Sequence, residues 1–129
     1  MTCTLDRTLS ATSFDDAVRR TKSALSRHGF GVLTEIDVKA TMKKKIEVDI
    51  EDYLILGACN THMAFEAMKL EPKIGAMLPC NVIVRDVGGG DVVVSAIDPV
   101  ASMQSIDNER LSLLAGKVRS MLADAVAEV

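Results

Sequence analysis

The stretch Cys80-Asn81-Val82-Ile83-Val84-Arg85-Asp86-Val87-Gly88-Gly89-Gly90-Asp91-Val92-Val93-Val94-Ser95-Ala96-Ile97-Asp98-Pro99 decides how the chain folds. Two runs dominated by Val and Ile flank three glycines. β-Branched side chains suit a pleated surface, and glycine reaches the positive φ that a tight turn needs, so the pattern predicts a β-hairpin. With Gly88–Gly90 as the loop, Val87 faces Asp91, Cys80 faces Asp98 and Asn81 faces Ile97. A bulge at the glycines would shift this register by one. Directly opposed residues share a face. Cys80, Val82, Val84, Val92, Val94, Ala96 and Asp98 therefore form one face, the better candidate for helix packing. Ile83, Val93 and Ile97 share the other with Arg85 and Ser95, a mixture suited to an interface between two copies of the chain.

Towards the N-terminus, Tyr53–Ala58 is nearly all apolar and reads as a central strand covered on both faces. It runs into Cys59, and Asn60 is placed to cap a helix over 61–70. Glu71-Pro72 ends that helix, and Gly75 and Pro79 punctuate the connection to the hairpin. Further upstream, Cys3–Leu9 alternates as a strand, and Ser13 caps a helix with Asp15 and Asp16 in its first turn and Gly29 at its end. Gly31–Val38 reads as a strand with Val32, Ile36 and Val38 on one side, and 39–46 as a short helix carrying Lys43-Lys44-Lys45. Beyond the hairpin, Asp98-Pro99 starts a short helical turn. From Asp107 onward Leu111, Leu114, Val118, Met121, Leu122 and Val126 mark a long amphipathic helix. The order is β-α-β-α-β-α-β-β-α. It predicts an α/β fold of the α+β type: one domain over 1–129, with a sheet of about five largely antiparallel strands and helices on one face.

Length and composition agree. A chain of 129 residues fits one core, and its 48% hydrophobic and 26% charged residues are ordinary for a globular domain. Aromatics are only 3% and Trp is absent, so aliphatic residues and seven Met must fill the interior, and stacking platforms for single-stranded nucleic acid are lacking. A net charge of -3 provides no positive field for phosphate backbones, and acidic residues follow the lysine run closely, so no nucleic-acid partner is expected. The first residues lack an apolar signal region and no run is long enough to span a membrane. Three cysteines in that setting read as reduced thiols, and a cytoplasmic location is expected.

Two Cys-Asn steps, Cys59-Asn60 and Cys80-Asn81, are the features that could carry chemistry. Whether they meet depends on the direction of strand 53–58 against strand 80–87. A parallel crossover puts them at opposite ends of the sheet, and an antiparallel pairing puts them side by side. If they meet, with Asp98 and His62 near, three chemistries open. Thiolates and imidazole at Cys59, Cys80 and His62 suit a soft metal. A helix N-terminus beside Cys59 favours a redox or sulfur-carrying thiol. Asn side chains and free helix N–H groups suit a small anion or carbonyl ligand. Each residue also has a plain reading. Free Cys often serves as a small apolar filler, Asn60 and Asp98 as helix caps, Asn81 as a turn residue and His62 as a surface side chain. No phosphate-binding glycine loop, CxxC, HExxH or GxSxG occurs.

The segments Tyr53-Leu54-Ile55-Leu56-Gly57-Ala58-Cys59-Asn60, Ile74-Gly75-Ala76-Met77-Leu78-Pro79-Cys80-Asn81-Val82 and Val94-Ser95-Ala96-Ile97-Asp98-Pro99 resemble the family catalogued as domain of unknown function 302. So does Gly29-Phe30-Gly31-Val32 through Ile36-Asp37-Val38, with Lys45 following. The resemblance implies a small α/β fold and a homodimer, in proteins without an assigned activity. It departs from the usual family pattern at Thr61-His62, where proline commonly follows the first Cys-Asn. The expectation is a homodimeric small-ligand-binding module with a pocket around Cys59, Asn60, Cys80, Asn81 and Asp98. Its alternatives are a thiol-dependent redox or sulfur-transfer enzyme, or a soft-metal-binding protein, using Cys59 and Cys80. Its cofactor is not legible.

Overall fold

The hairpin sits at the centre of a five-stranded sheet in the computed structural model, which describes residues 1–129. Strands β1 (Thr4–Leu9), β2 (Gly31–Asp37), β3 (Tyr53–Cys59), β4 (Cys80–Gly88) and β5 (Asp91–Ile97) lie in the order β1-β5-β4-β3-β2, and every neighbouring pair is antiparallel. The helices are α1 (Phe14–Arg27), α2 (Val38–Ile46), α3 (Thr61–Leu70), α4 (Pro99–Ser102) and α5 (Glu109–Ala127), with a 3-10 helix at Pro72–Met77 in the connection between α3 and β4. The fold is a single α+β domain, as the order of elements predicts.

Each helix starts where the sequence offers a cap. Ser13 accepts from the Asp16 N–H, Asn60 from Met63, Asp98 from Val100 and Ala101, and Asn108 from Leu111. The hairpin register holds from Val82↔Ala96 to Asp86↔Val92. At the turn, Gly88 pairs with Asp91 and Val87 is left as a bulge, so the loop is Gly89-Gly90, both with positive φ.

The core forms between one face of the sheet and helices α1 and α5. Leu56, Val82, Val84, Val94 and Ala96 are fully buried against Ala17, Ala24, Leu25 and Leu122, within a cluster of 17 buried residues. Each large aliphatic side chain so buried contributes roughly 1.5–3 kcal/mol. A second, smaller cluster of Ala67, Ile74 and Leu111 ties α3 and the 3-10 helix to α5. The opposite face of the sheet carries Tyr53, Ile55, Ile83 and Val93, all half-buried, with neither α1 nor α5 core residues packed on it.

One side-chain assignment changes. Val32, Ile36 and Val38 do not share a face, because a register shift between Val32 and Thr34 turns the strand over. Val32 packs on the core, whereas Ile36 lies opposite Ile55 on the open face and is 49% exposed. Val38 has already entered α2.

Candidate functional site

Antiparallel pairing of β3 with β4 brings the two Cys-Asn steps to one end of the sheet. Ala58 lies opposite Cys80 and Gly57 opposite Asn81, so Cys59 follows directly on the partner of Cys80. The close approach depends on Gly57. A Cβ there would stand 2.1 Å from Thr34 Oγ1 and 2.7 Å from Pro79 Cγ. Only glycine lets the Thr34 side chain and the proline ring close over β3 from both neighbouring segments.

Asn60 turns the chain out of β3. Its Oδ1 accepts from the Met63 N–H at 3.0 Å and its Nδ2 donates to the Gly29 carbonyl at 3.0 Å, so one side chain caps α3 and ties it to the loop before β2. Beneath this turn is a cavity of about 40 Å³, lined by 15 residues of which 13 are hydrophobic. Phe30, Ala58, Cys59 and Cys80 form its floor at the sheet end. Met63, Ala64 and Ala67 of α3 cover it, Leu78, Pro99 and Met103 close the sides, and α5 contributes Leu111, Leu114, Ala115 and Val118. No buried side-chain nitrogen or oxygen lacks a hydrogen-bond partner. The cavity therefore makes no hydrogen-bonding demand on an occupant.

Both thiols in the wall are held protonated. Burial pushes Cys80 up to about 11, with a negative charge on Cys59 adding to the effect. Burial also raises Cys59. Neither is a thiolate at neutral pH, the form that attacks electrophiles or binds soft metals.

Of the five candidate ligand-binding residues, Cys59, Asn60 and Cys80 line this cavity. Asn81 does not. It is exposed on the open sheet face, in a shallow depression beside Thr34, Ile36, Met77 and Pro79. Asp98 does not line it either, because pairing between β4 and β5 stops at Val82↔Ala96 and leaves Cys80 without a partner on that side. Instead the Asp98 carboxylate caps α4 and accepts from Arg119 Nε at 2.9 Å. Burial alone would raise its pKa, but the Arg119 hydrogen bond and the Val100 and Ala101 N–H groups outweigh it and hold the carboxyl below the usual aspartate range. His62 is exposed in the first turn of α3 and also lies outside the cavity lining. No group of three or more His, Cys, Asp or Glu residues stands close enough to hold a metal ion.

Sequence reasoning missed the helical half of the site. Ala64 and Ala67 of α3 and Ala115 of α5 leave the space that a larger side chain would fill. Their signal is small residues at the facing positions of two helices, which is visible only once those helices are known to face each other.

Comparison with known proteins agrees with the architecture. The crystal structure of an uncharacterized conserved DUF302 protein from Bacillus stearothermophilus superposes with a TM-score of 0.85 at 22% sequence identity, covering 96% of this chain and 97% of that one. At that identity the likeness speaks for the fold. No curated protein matches. The family model described as "Domain of unknown function DUF302" matches residues 5–129, and the chain belongs to that family.

Proposed function

We propose that the protein is a small-ligand-binding module whose pocket is the cavity between the sheet end and helices α3 and α5, bounded by Cys59, Asn60 and Cys80. The observation that carries this reading is the cavity itself: a void placed where two strand ends, a helix cap and the face of α5 converge. Its volume of about 40 Å³ is far below the roughly 300–1,000 Å³ of a drug-sized site, so its ligand is small or displaces part of the wall. Redox or sulfur-transfer chemistry at Cys59 and Cys80 draws no support from thiols whose pKa burial has raised. A soft-metal site draws none from a pair without a third ligand.

The test is a thermal-shift screen of small molecules against the wild type and Ala64→Leu, whose larger side chain fills the cavity. A ligand that raises Tm in the wild type and loses that effect in the variant supports the pocket. Ligand shifts that are identical in both proteins would move the site elsewhere.

The proposed assembly is a homodimer through the open sheet face. Tyr53, Ile55, Ile83 and Val93 lie there half-buried, with no core residue of α1 or α5 packed on them. Asp6 and Arg85 share a trough on that face, and neither is in an ion pair within the chain. A two-fold axis would let Arg85 of each copy meet Asp6 of the other, the self-complementarity that an isologous interface requires.

A further inference from the structure

The cavity lies on the seam between the two hydrophobic clusters. Phe30, Ala58 and Cys80 in its wall belong to the large core. Ala67, Leu111 and Leu78 belong to or pack on the small one. The roof, residues 61–78, is therefore held by the lesser of the two. Only three residues of that cluster are buried, and α3 packs chiefly on the 3-10 helix and on α5. Segments that rest on few buried apolar contacts open at lower free energy than the global core.

Two asparagines fasten this roof, and both do so in the same way. Asn60 caps α3 through Oδ1, and its Nδ2 donates to the Gly29 carbonyl at 3.0 Å. Asn108 caps α5 through Oδ1, accepting from the Leu111 N–H at 3.0 Å, and its Nδ2 donates to the Leu70 carbonyl at 3.3 Å. Leu70 is the last residue of α3, so that bond also satisfies a carbonyl with no partner further along the helix. In each case the oxygen serves a helix start and the nitrogen pins one end of α3.

We infer that residues 61–78 are a lid, latched at its two ends by the Asn60 and Asn108 side-chain amides, over a pocket that takes a small uncharged apolar molecule. The assignment rests on the pocket proposed above and adds what enters it and how. The class follows from the wall: it is apolar almost throughout, its thiols are protonated, and no buried side-chain nitrogen or oxygen lacks a partner. A charged ligand would lose hydration with nothing to replace it. The need for a lid follows from size. A cavity that accepts benzene measures about 150 Å³, against about 40 Å³ here. A ring or a short branched chain thus needs more room than the resting cavity offers, and movement of α3 supplies it. Met63 and Met103 in the wall have the unbranched side chains that repack around such an occupant.

The test uses indole, a small uncharged fluorophore, read by stopped-flow fluorescence in a protein that has no Trp to interfere. The variants are Asn60→Asp and Asn108→Asp. Aspartate keeps the capping oxygen but has no N–H to donate, so the helix starts survive while the latch is lost. The wild type should bind the probe saturably with one site per chain. Each Asp variant should bind it about five-fold faster, the fold-change expected of one net hydrogen bond, with faster amide exchange across 61–70. Ala64→Leu should weaken binding at least ten-fold. Association rates equal to wild type in both Asp variants overturn the lid. Tighter binding of the anionic indole-3-carboxylate than of the neutral probe overturns the apolar class. If the probe does not bind, but a polar compound stabilises the wild type and not Ala64→Leu, the pocket stands and the apolar assignment falls. If nothing binds in either assay, both fall.

Discussion

Raising the pH should expose the environment of Cys80 more directly than any substitution. Cys80 is 7% exposed and belongs to the large core, so ionising its thiol places a charge among apolar side chains. Burial, with the Cys59 charge adding to it, lifts its pKa from 9.0 to about 11. Two units mean roughly 100-fold less thiolate at neutral pH than an ordinary cysteine has. Alkylation by iodoacetamide, followed peptide by peptide by mass spectrometry, should therefore be about 100-fold slower at Cys80 than at the same cysteine in urea. Its rate should still be climbing above pH 10. The same shift acts on stability. Because the folded pKa lies above the unfolded one, the contribution is complete below about pH 9 and is lost as pH rises through 11. At about 1.4 kcal/mol per unit, the full loss is up to about 3 kcal/mol. Cys80→Ala should flatten that part of the urea-stability curve, and Cys59→Ser should lower the Cys80 midpoint by removing the neighbouring charge. Half-maximal labelling of Cys80 at or below pH 9, or identical alkaline slopes in the wild type and Cys80→Ala, would refute the reasoning.

Gly57→Ala should destabilise the fold by about 2–4 kcal/mol in urea, since the new methyl overlaps both Thr34 and Pro79. Thr34→Ala should recover part of that loss, and a Gly57→Ala protein as stable as wild type would mean β2 and the Pro79 segment do not close over β3. At the acid end, Asp98 adds stability above the usual aspartate pKa near 3.8, and this is lost as pH falls through its lower folded value. Acid titration of Asp98→Asn should accordingly show a shallower decline than the wild type, and an unchanged profile counts against the Arg119 contact. For the open sheet face, Ile83→Asp should convert a dimer to a monomer by light scattering at tens of micromolar. A wild type that is already monomeric there removes the proposed assembly.

The hairpin and the caps were legible because they rest on local chemistry. Gly88–Gly90 reaches the positive φ a tight turn needs and other residues avoid, and Ser13, Asn60 and Asp98 announce helix starts through side chains that reach nearby backbone N–H groups. Two features resisted, each for a physical reason. The bulge after Val32 inserts no unusual residue, so nothing local marks the point where Ile36 changes face. The direction of β3 against β4 depends on how far residues 61–79 travel, and Pro and Gly in a connection punctuate the chain without setting its path.

That path is also what divides the candidate site. The connection returns antiparallel, which places Cys59 and Cys80 at one cavity, yet the strand pleat then sends Asn81 to the opposite face from Cys80. Two identical Cys-Asn steps are thus not equivalent. Asn60 follows a strand end, where the chain turns and the side chain can bend back over the cavity as a cap and tether. Asn81 sits inside β4, where alternation fixes it on the sheet surface. A repeated dipeptide marks a place where two segments converge, and the element each copy occupies decides which of its side chains reach the site.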